Sequence, residues 1–301
     1  MVNNPRIVVT LTTLPRRIEQ LTILESVLQS LNNQTVTPDA IYLSIPERAS
    51  RLNQIYPTIP QSIANLCTIV KVPYDFGPVT KLYGGLSQEQ DDSTMIISCD
   101  DDIIYPLTLI EELVTKSQTF PNQVIASAGA IIGSFPCHLS FAMNQSKHRN
   151  SWWFSTEINP ISGTLVDIVC GYAGILYRRS FFPASHLLES DFFSIPLRNN
   201  HLFLHDDIYI SCYLNSKNVD RRVFIVSDVE NCDGNLNSLS SDMLSFGWSF
   251  IQAINYCHRQ KWIIRKQSLS LMKSLTGPII ITIIIAIIVI IILIWLYKHK
   301  R

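Results

Sequence analysis

The 301-residue chain carries 24 basic and 24 acidic side chains, so it has no net formal charge and lacks the electrostatic footprint of a nucleic-acid or other polyanion binder. Its 47% hydrophobic content is inflated by the C-terminal run, yet the remainder suffices for a folded region of about 260 residues. Seven cysteines (Cys67, Cys99, Cys137, Cys170, Cys212, Cys232 and Cys257) stand singly with no CxxC pair, a usage that speaks against a disulfide scaffold and for a reducing compartment.

The β-branched run Ile7 to Thr13 (IVVTLTT) predicts a first strand. From Arg17 to Leu31, Ile18, Leu21, Leu24, Val27, Leu28 and Leu31 recur at helical spacing and predict a helix. Ile41 to Ile45 and Thr68 to Val72 predict two more strands, Lys81 to Leu86 part of a short helix, and Thr94 to Cys99 a fourth strand. Such alternation implies an α/β fold, a mostly parallel sheet flanked by helices, with ligands bound at the carboxyl ends of the strands. Farther on, Pro106 to Ser117 reads as a helix with proline in its first turn, and Val124 to Ala128 and Val166 to Cys170 read as strands. GYAGILY crosses a glycine turn into another strand, Asp206 to Leu214 reads as a helix opening on two acids, and Arg222 to Val226 as a last sheet strand. Ser134 to Pro160, with Trp152 and Trp153, is irregular and reads as a loop or lid.

Pro278 to Tyr297 (PIIITIIIAIIVIIILIWLY) is uncharged and about 20 residues long, enough for a helix to cross roughly 30 Å of hydrocarbon. The expected organisation is therefore a globular domain over 1–265, a juxtamembrane segment 266–277, a transmembrane helix 278–297 and a basic tail 298–301. Arg259, Lys261, Arg265, Lys266 and Lys273 before the span outnumber Lys298, Lys300 and Arg301 after it. The N-terminus MVNNPRIVVTLTT has none of the features of a secretory signal, so the expectation is a single-pass C-terminal anchor with a cytoplasmic globular domain.

The stretch Ser98 to Pro106 (SCDDDIIYP) places Asp100, Asp101 and Asp102 directly after the apolar run Met95-Ile96-Ile97. Adjacent carboxylates repel one another unless a cation or water relieves them. Hard oxygen donors suit Mg²⁺ or Mn²⁺, which keep positions for water and substrate phosphates. The plainer alternative is a solvated acidic turn capping the helix at Pro106. The triplet alone leaves the two equal; its place at the ligand end of a parallel sheet favours a site.

SCDDDIIYP resembles the DxD segment of glycosyltransferases with the GT-A fold, that of nucleotide-diphospho-sugar transferases. VTLTTLPRRIEQLTILESVLQSLNNQTVTPDAIYLSIP is similar to the N-terminal nucleotide-binding unit of family 2-like transferases, including those of bacteria and large DNA viruses. YDFGPVTKL resembles the Gly-Pro...Lys segment that follows that unit, and together these cover most of the soluble chain. The resemblance implies transfer of a single sugar, with inversion, from a nucleotide-sugar donor to a hydroxyl of a glycan, lipid-linked or protein acceptor. It implies Mn²⁺ or Mg²⁺ on Asp102, with Asp100 facing the metal, ribose and nucleotide, and Asp101 as an outer acceptor.

By the same resemblance Thr12 and Arg16 line the nucleotide, Lys81 helps neutralise the diphosphate, and Gly171 belongs to a glycine-containing loop under the donor sugar. His205-Asp206-Asp207 resembles the ED segment that carries the catalytic base at a helix start, with Asp207 the first candidate and Asp206 the second. His205 is either a metal or phosphate contact or a polar residue before the helix. Each assignment has a plainer counterpart: a solvated helix start for Arg16 and Arg17, a helix-surface residue for Lys81, a turn former for Asp75, and helix caps for the two acids. Trp152, Trp153 and Trp248 suit stacking on sugars, burial or a membrane-facing patch equally. Gln260-Lys261-Trp262 only faintly echoes the QxxRW motif of family 2 synthases, and one span cannot form a polysaccharide channel, so single addition is expected.

Three rivals stand beside this expectation. A sugar-phosphate nucleotidyltransferase would want a glycine-rich N-terminal signature that VTLTTLPRR lacks, and a DxDxT phosphatase would want threonine where Ile104 stands. The third is a non-catalytic, membrane-tethered binder of glycans or nucleotide-sugars.

Overall fold

A computed structural model describes residues 5–132, 139–142, 163–224, 230–231, 252–257 and 259–262. The expected juxtamembrane segment, transmembrane helix and basic tail, together with Trp152, Trp153 and Trp248, lie outside the described residues. Among the described residues no helix is long and apolar enough to cross a membrane.

Eight strands form the central sheet: β1 (Ile7–Thr12), β2 (Ala40–Pro46), β3 (Thr68–Val72), β4 (Met95–Ser98), β5 (Gln123–Ala126), β6 (Thr164–Leu165), β7 (Ile175–Arg178) and β8 (Asp220–Val223). Their spatial order is β3-β2-β1-β4-β7-β5-β8-β6. β1 is parallel to β2 and β4, β2 to β3, and β5 to β8, whereas β7 opposes both β4 and β5, and β6 opposes β8. The sheet is thus mostly parallel, as expected, with two reversed strands. The chain winds outward from β1 to β3 and then returns to the other side of β1 as β4. That reversal opens a crevice at the carboxyl ends of β1 and β4, the place where open α/β sheets bind ligands.

Alternation along the strands feeds a core on each face. Val8 and Ile96 belong to one buried cluster, while Val9, Leu11 and Ile97 belong to the other. Helix α1 (Leu21–Asn32) buries Leu24, Val27, Leu28 and Leu31, and α2 (Leu109–Thr119) buries Leu109, Ile110, Leu113 and Val114 on the same side. Helix α3 (Asp206–Ser216) lies in the opposite layer, where Ile208, Tyr209, Ile210, Cys212, Tyr213 and Leu214 are all buried.

Several element boundaries differ from the sequence reading: the strand expected over Val166 to Cys170 is Ile168–Val169, outside the central sheet, the last sheet strand begins at Asp220 rather than Arg222, and two further differences bear on the site. The single helix expected from Arg17 to Leu31 is a short helix, Pro15–Glu19, broken at Gln20 before α1. The helix expected at Pro106 starts at Leu109, because Ile103–Ile104 first pairs with Glu230–Asn231 as a two-stranded ribbon. The acid triplet therefore does not cap that helix, which removes the plainer explanation for it.

The segment carrying Lys81 is a 3₁₀ turn, Gly77–Leu82, continued by the helix Tyr83–Gln88. It lies directly on the sheet. A Cβ on Gly84 would stand 2.6 Å from Tyr42 Cβ and one on Gly85 would stand 2.8 Å from Ile96 Cγ2, so only glycine allows this approach. Ser44 accepts the Gly84 N–H at 2.9 Å, and Thr10 accepts the Gly85 N–H at 3.1 Å while donating to the Lys81 carbonyl at 2.5 Å. Two polar side chains of β1 and β2 thus fix the Lys81 backbone beneath the crevice.

Candidate functional site

Lys81 reaches from this anchored segment to both acidic elements. Its Nζ lies 2.5 Å from Asp100 Oδ1, just beyond the end of β4, and 2.9 Å from Asp206 Oδ2, at the start of α3. Asp207 turns to the neighbouring loop, where its Oδ1 accepts the Gly171 N–H at 2.9 Å. A Cβ on Gly171 would stand 2.9 Å from Lys81 Nζ and 3.2 Å from Asp207 Oδ1, so the bare glycine leaves room for these side-chain ends beside the 3₁₀ turn Gly171–Ala173. The structure therefore brings Lys81, Asp100, Gly171, Asp206 and Asp207 together from four separate stretches of chain.

A second arm of the site rests on Arg17. The short helix Pro15–Glu19 begins immediately after β1, with proline at its start, and buries Arg17 rather than leaving it in solvent. The guanidinium Nη1 binds Asp101, and Nη2 donates to Asp102 Oδ2 at 2.9 Å. Thr13 donates to the other Asp101 oxygen at 2.5 Å. Asp101, expected to be the least engaged of the three acids, is the most firmly held, and Arg17, expected at a solvated helix start, holds it. Tyr105 completes the frame: its hydroxyl accepts the Asp100 N–H at 2.7 Å and donates to the Tyr172 carbonyl at 3.1 Å, tying the triplet to the glycine turn.

The electrostatics show incomplete compensation. Burial opposes the charge on Lys81, but the carboxylates of Asp100, Asp206 and Asp207 outweigh it and hold the ammonium well above its usual range. Burial, and next the Asp206 charge, push the Asp207 carboxyl well above the ordinary carboxylate value. Burial also raises Asp101, against the pull of Arg17. Asp102 is pushed up to about 6 by burial and then by Asp101 and Asp100, with Arg17 opposing. Resident cations therefore leave this cluster short of positive charge.

A pH dependence follows from these directions. A carboxyl with a raised folded pKa keeps a proton that the unfolded chain releases, so its contribution to stability is present below the unfolded value and lost as pH rises through the folded one. For Asp102 that window runs from the ordinary value of 3.8 to about 6. Its removal in Asp102→Asn should flatten the fall in stability across that window by at most about 3 kcal/mol at ~1.4 kcal/mol per unit. Urea unfolding at a series of pH values measures this, and parallel profiles for the two proteins would contradict it.

Thr12 donates to the Ser44 carbonyl at 2.8 Å, securing β1 to β2 at the crevice. Arg16, half-buried, lies in the short helix beside Arg17. His205 is buried at the boundary of α3, where burial and then His201 push its imidazole down to about 4 and keep it neutral. Asp75 is the turn former it was expected to be, accepting from the Ser50 N–H at 2.7 Å and the Gly77 N–H at 2.8 Å. Trp262 packs against Tyr209 of α3 at a ring separation of 6.2 Å.

Among the described residues no group of three or more His, Cys, Asp or Glu side chains is arranged to hold a metal ion by itself. The raised Asp102 carboxyl nevertheless fits a hard cation held by one or two carboxylates and completed by substrate phosphates, the usual arrangement for Mg²⁺. Asp102 and Asp100 are the residues that would hold it.

No protein-family model matches the chain, and neither does any curated protein. Among solved structures, one titled "Crystal Structure of a Mycobacterial Protein" is similar over 41% of this chain and 40% of that one, at 17% identity and a TM-score of 0.32. The similarity spans 40% of that protein's length.

Proposed function

We propose that the protein is a metal-dependent glycosyltransferase of the GT-A type that moves one sugar from a nucleotide-sugar to an acceptor hydroxyl with inversion. The observation that carries this reading is the convergence of two acidic elements, SCDDD and HDD, on Lys81 at the crevice where the strand order reverses. The first element suits the donor diphosphate end, and the second suits the acceptor end.

In this reading Asp207 takes the proton of the acceptor hydroxyl as that oxygen bonds to the anomeric carbon and the bond from that carbon to the diphosphate breaks. Once ionised, Asp207 is a stronger base than an ordinary carboxylate because burial and the Asp206 charge raise its pKa, and the Gly171 N–H fixes one of its oxygens. Lys81 keeps Asp100 and Asp206 at a set separation, Arg17 orients Asp101 and Asp102, and Tyr105 holds the backbone of the triplet. A cation on Asp102 and Asp100 would neutralise charge on the departing diphosphate.

The test is a turnover screen of the full chain in detergent with UDP-, GDP- and TDP-sugars, a broad acceptor set and added Mn²⁺ or Mg²⁺. Metal-dependent transfer or donor hydrolysis is expected, and Asp102→Ala should abolish it. Normal transfer by that variant without added metal would sink the metal assignment. Donor binding without turnover on any acceptor would favour the non-catalytic binder.

A further inference from the structure

The hairpin that follows β2 presents an arginine whose position no role described above explains. Arg48–Ala49 pairs antiparallel with Gln54–Ile55, and the turn between them carries Arg51. This turn is held from several sides. Asp75 accepts the Ser50 N–H at 2.7 Å, Arg48 bonds the Asn53 carbonyl and side chain at 3.0 and 2.9 Å, and the Tyr56 hydroxyl donates to the Thr13 carbonyl at 2.8 Å. The last bond latches the hairpin to the chain just beyond β1. Asp75 in turn ties Ser50 of the turn to Gly77, the start of the segment that carries Lys81, so Arg51 stands at the carboxyl-end edge of the sheet, where the crevice lies.

We infer that Arg51, held at this edge beside Arg16, binds phosphate oxygens of a nucleoside diphosphate. The inference rests on the nucleotide-sugar reading of the site. Both other cations at the centre are committed to carboxylates, Lys81 to Asp100 and Asp206, and Arg17 to Asp101 and Asp102. One divalent cation shared with Asp100 and Asp102 does not by itself offset a diphosphate entering an acid-rich crevice, which favours further positive charge from elsewhere.

Arg51 makes no hydrogen bond or ion pair with the described residues, and both oxygens of its acidic neighbour Asp75 accept backbone amides. Partial desolvation and then the charges of Arg16 and Arg17 lower the Arg51 pKa, against the pull of Asp75, so like charges have been gathered here without a resident anion on Arg51. The planar guanidinium fork matches phosphate oxygens in a way that an ammonium does not.

Calorimetric titration of the full chain, in buffer containing Mg²⁺, with UDP, GDP and TDP, with the matching nucleosides and with inorganic pyrophosphate, tests this in wild type, Arg51→Gln and Arg51→Lys. Arg51→Gln should weaken the preferred nucleoside diphosphate about tenfold, leave nucleoside binding unchanged and leave the unfolding temperature equal or higher, because a like-charge contact is removed. Arg51→Lys should recover part of the loss. Unchanged diphosphate affinity, an equal loss for the nucleoside, or a lowered unfolding temperature in Arg51→Gln overturns the inference while leaving the glycosyltransferase reading intact. Pyrophosphate binding that depends on Arg51, with no nucleoside diphosphate binding, overturns the nucleotide-sugar reading and leaves only an anion site. Binding of neither ligand by the wild type overturns both.

Discussion

Lys81→Met should destabilise the protein by about 3–5 kcal/mol at neutral pH, the usual cost of removing one partner from a buried ion pair. The side chains concerned are 7% exposed for Lys81 and 12% for Asp206, so water cannot readily take the place of the ammonium. The loss should shrink in the double variant Lys81→Met/Asp206→Asn, because the amide removes one of the carboxylates left unpaired. Urea unfolding of the wild type, both single variants and the double variant completes the cycle. Additive losses would mean that Lys81 and Asp206 are energetically independent despite their 2.9 Å separation. Transfer should fall as well, since Asp100 and Asp206 would then be held apart only by their mutual repulsion.

Asp207→Asn should lower transfer by about 10²–10⁴-fold, the range expected when a general base is removed. The amide oxygen can still accept the Gly171 N–H that Asp207 accepts at 2.9 Å, so the fold and donor binding should be retained. This separates chemistry from architecture. Asp206→Asn, by contrast, weakens the pairing with Lys81 and should cost stability as well as rate. Single-turnover transfer and donor titration on both variants distinguish the two acids. Transfer that survives in Asp207→Asn and is lost in Asp206→Asn would move the base to Asp206.

The neighbourhood of the site was legible in the sequence because chain-local signals lead to it. SCDDDIIYP follows an apolar strand, and the strand does end at Ser98 with the acids beyond it. HDDIYIS opens a helix that does begin at Asp206. Arg17 was misread because PRR after a strand looks like any basic helix start, and nothing local reports that Asp101, 84 positions away, will bury it. The hairpin role of Tyr56 and the bridging hydroxyl of Tyr105 had no signal of their own, since a tyrosine in an apolar run reads as core.

The sequence by itself determined the alternation of strands and helices and the two acidic runs at element ends, since each depends on residues within one turn or strand. The partnerships did not follow from it. That β4 returns beside β1, that β7 enters antiparallel between β4 and β5, and that Lys81 lies between Asp100 and Asp206 depend on packing between distant segments. Charge at the site is likewise a collective quantity: an aspartate takes its ordinary pKa from its own chemistry, but Asp102 owes its raised value to burial and to neighbouring carboxylates gathered by the fold.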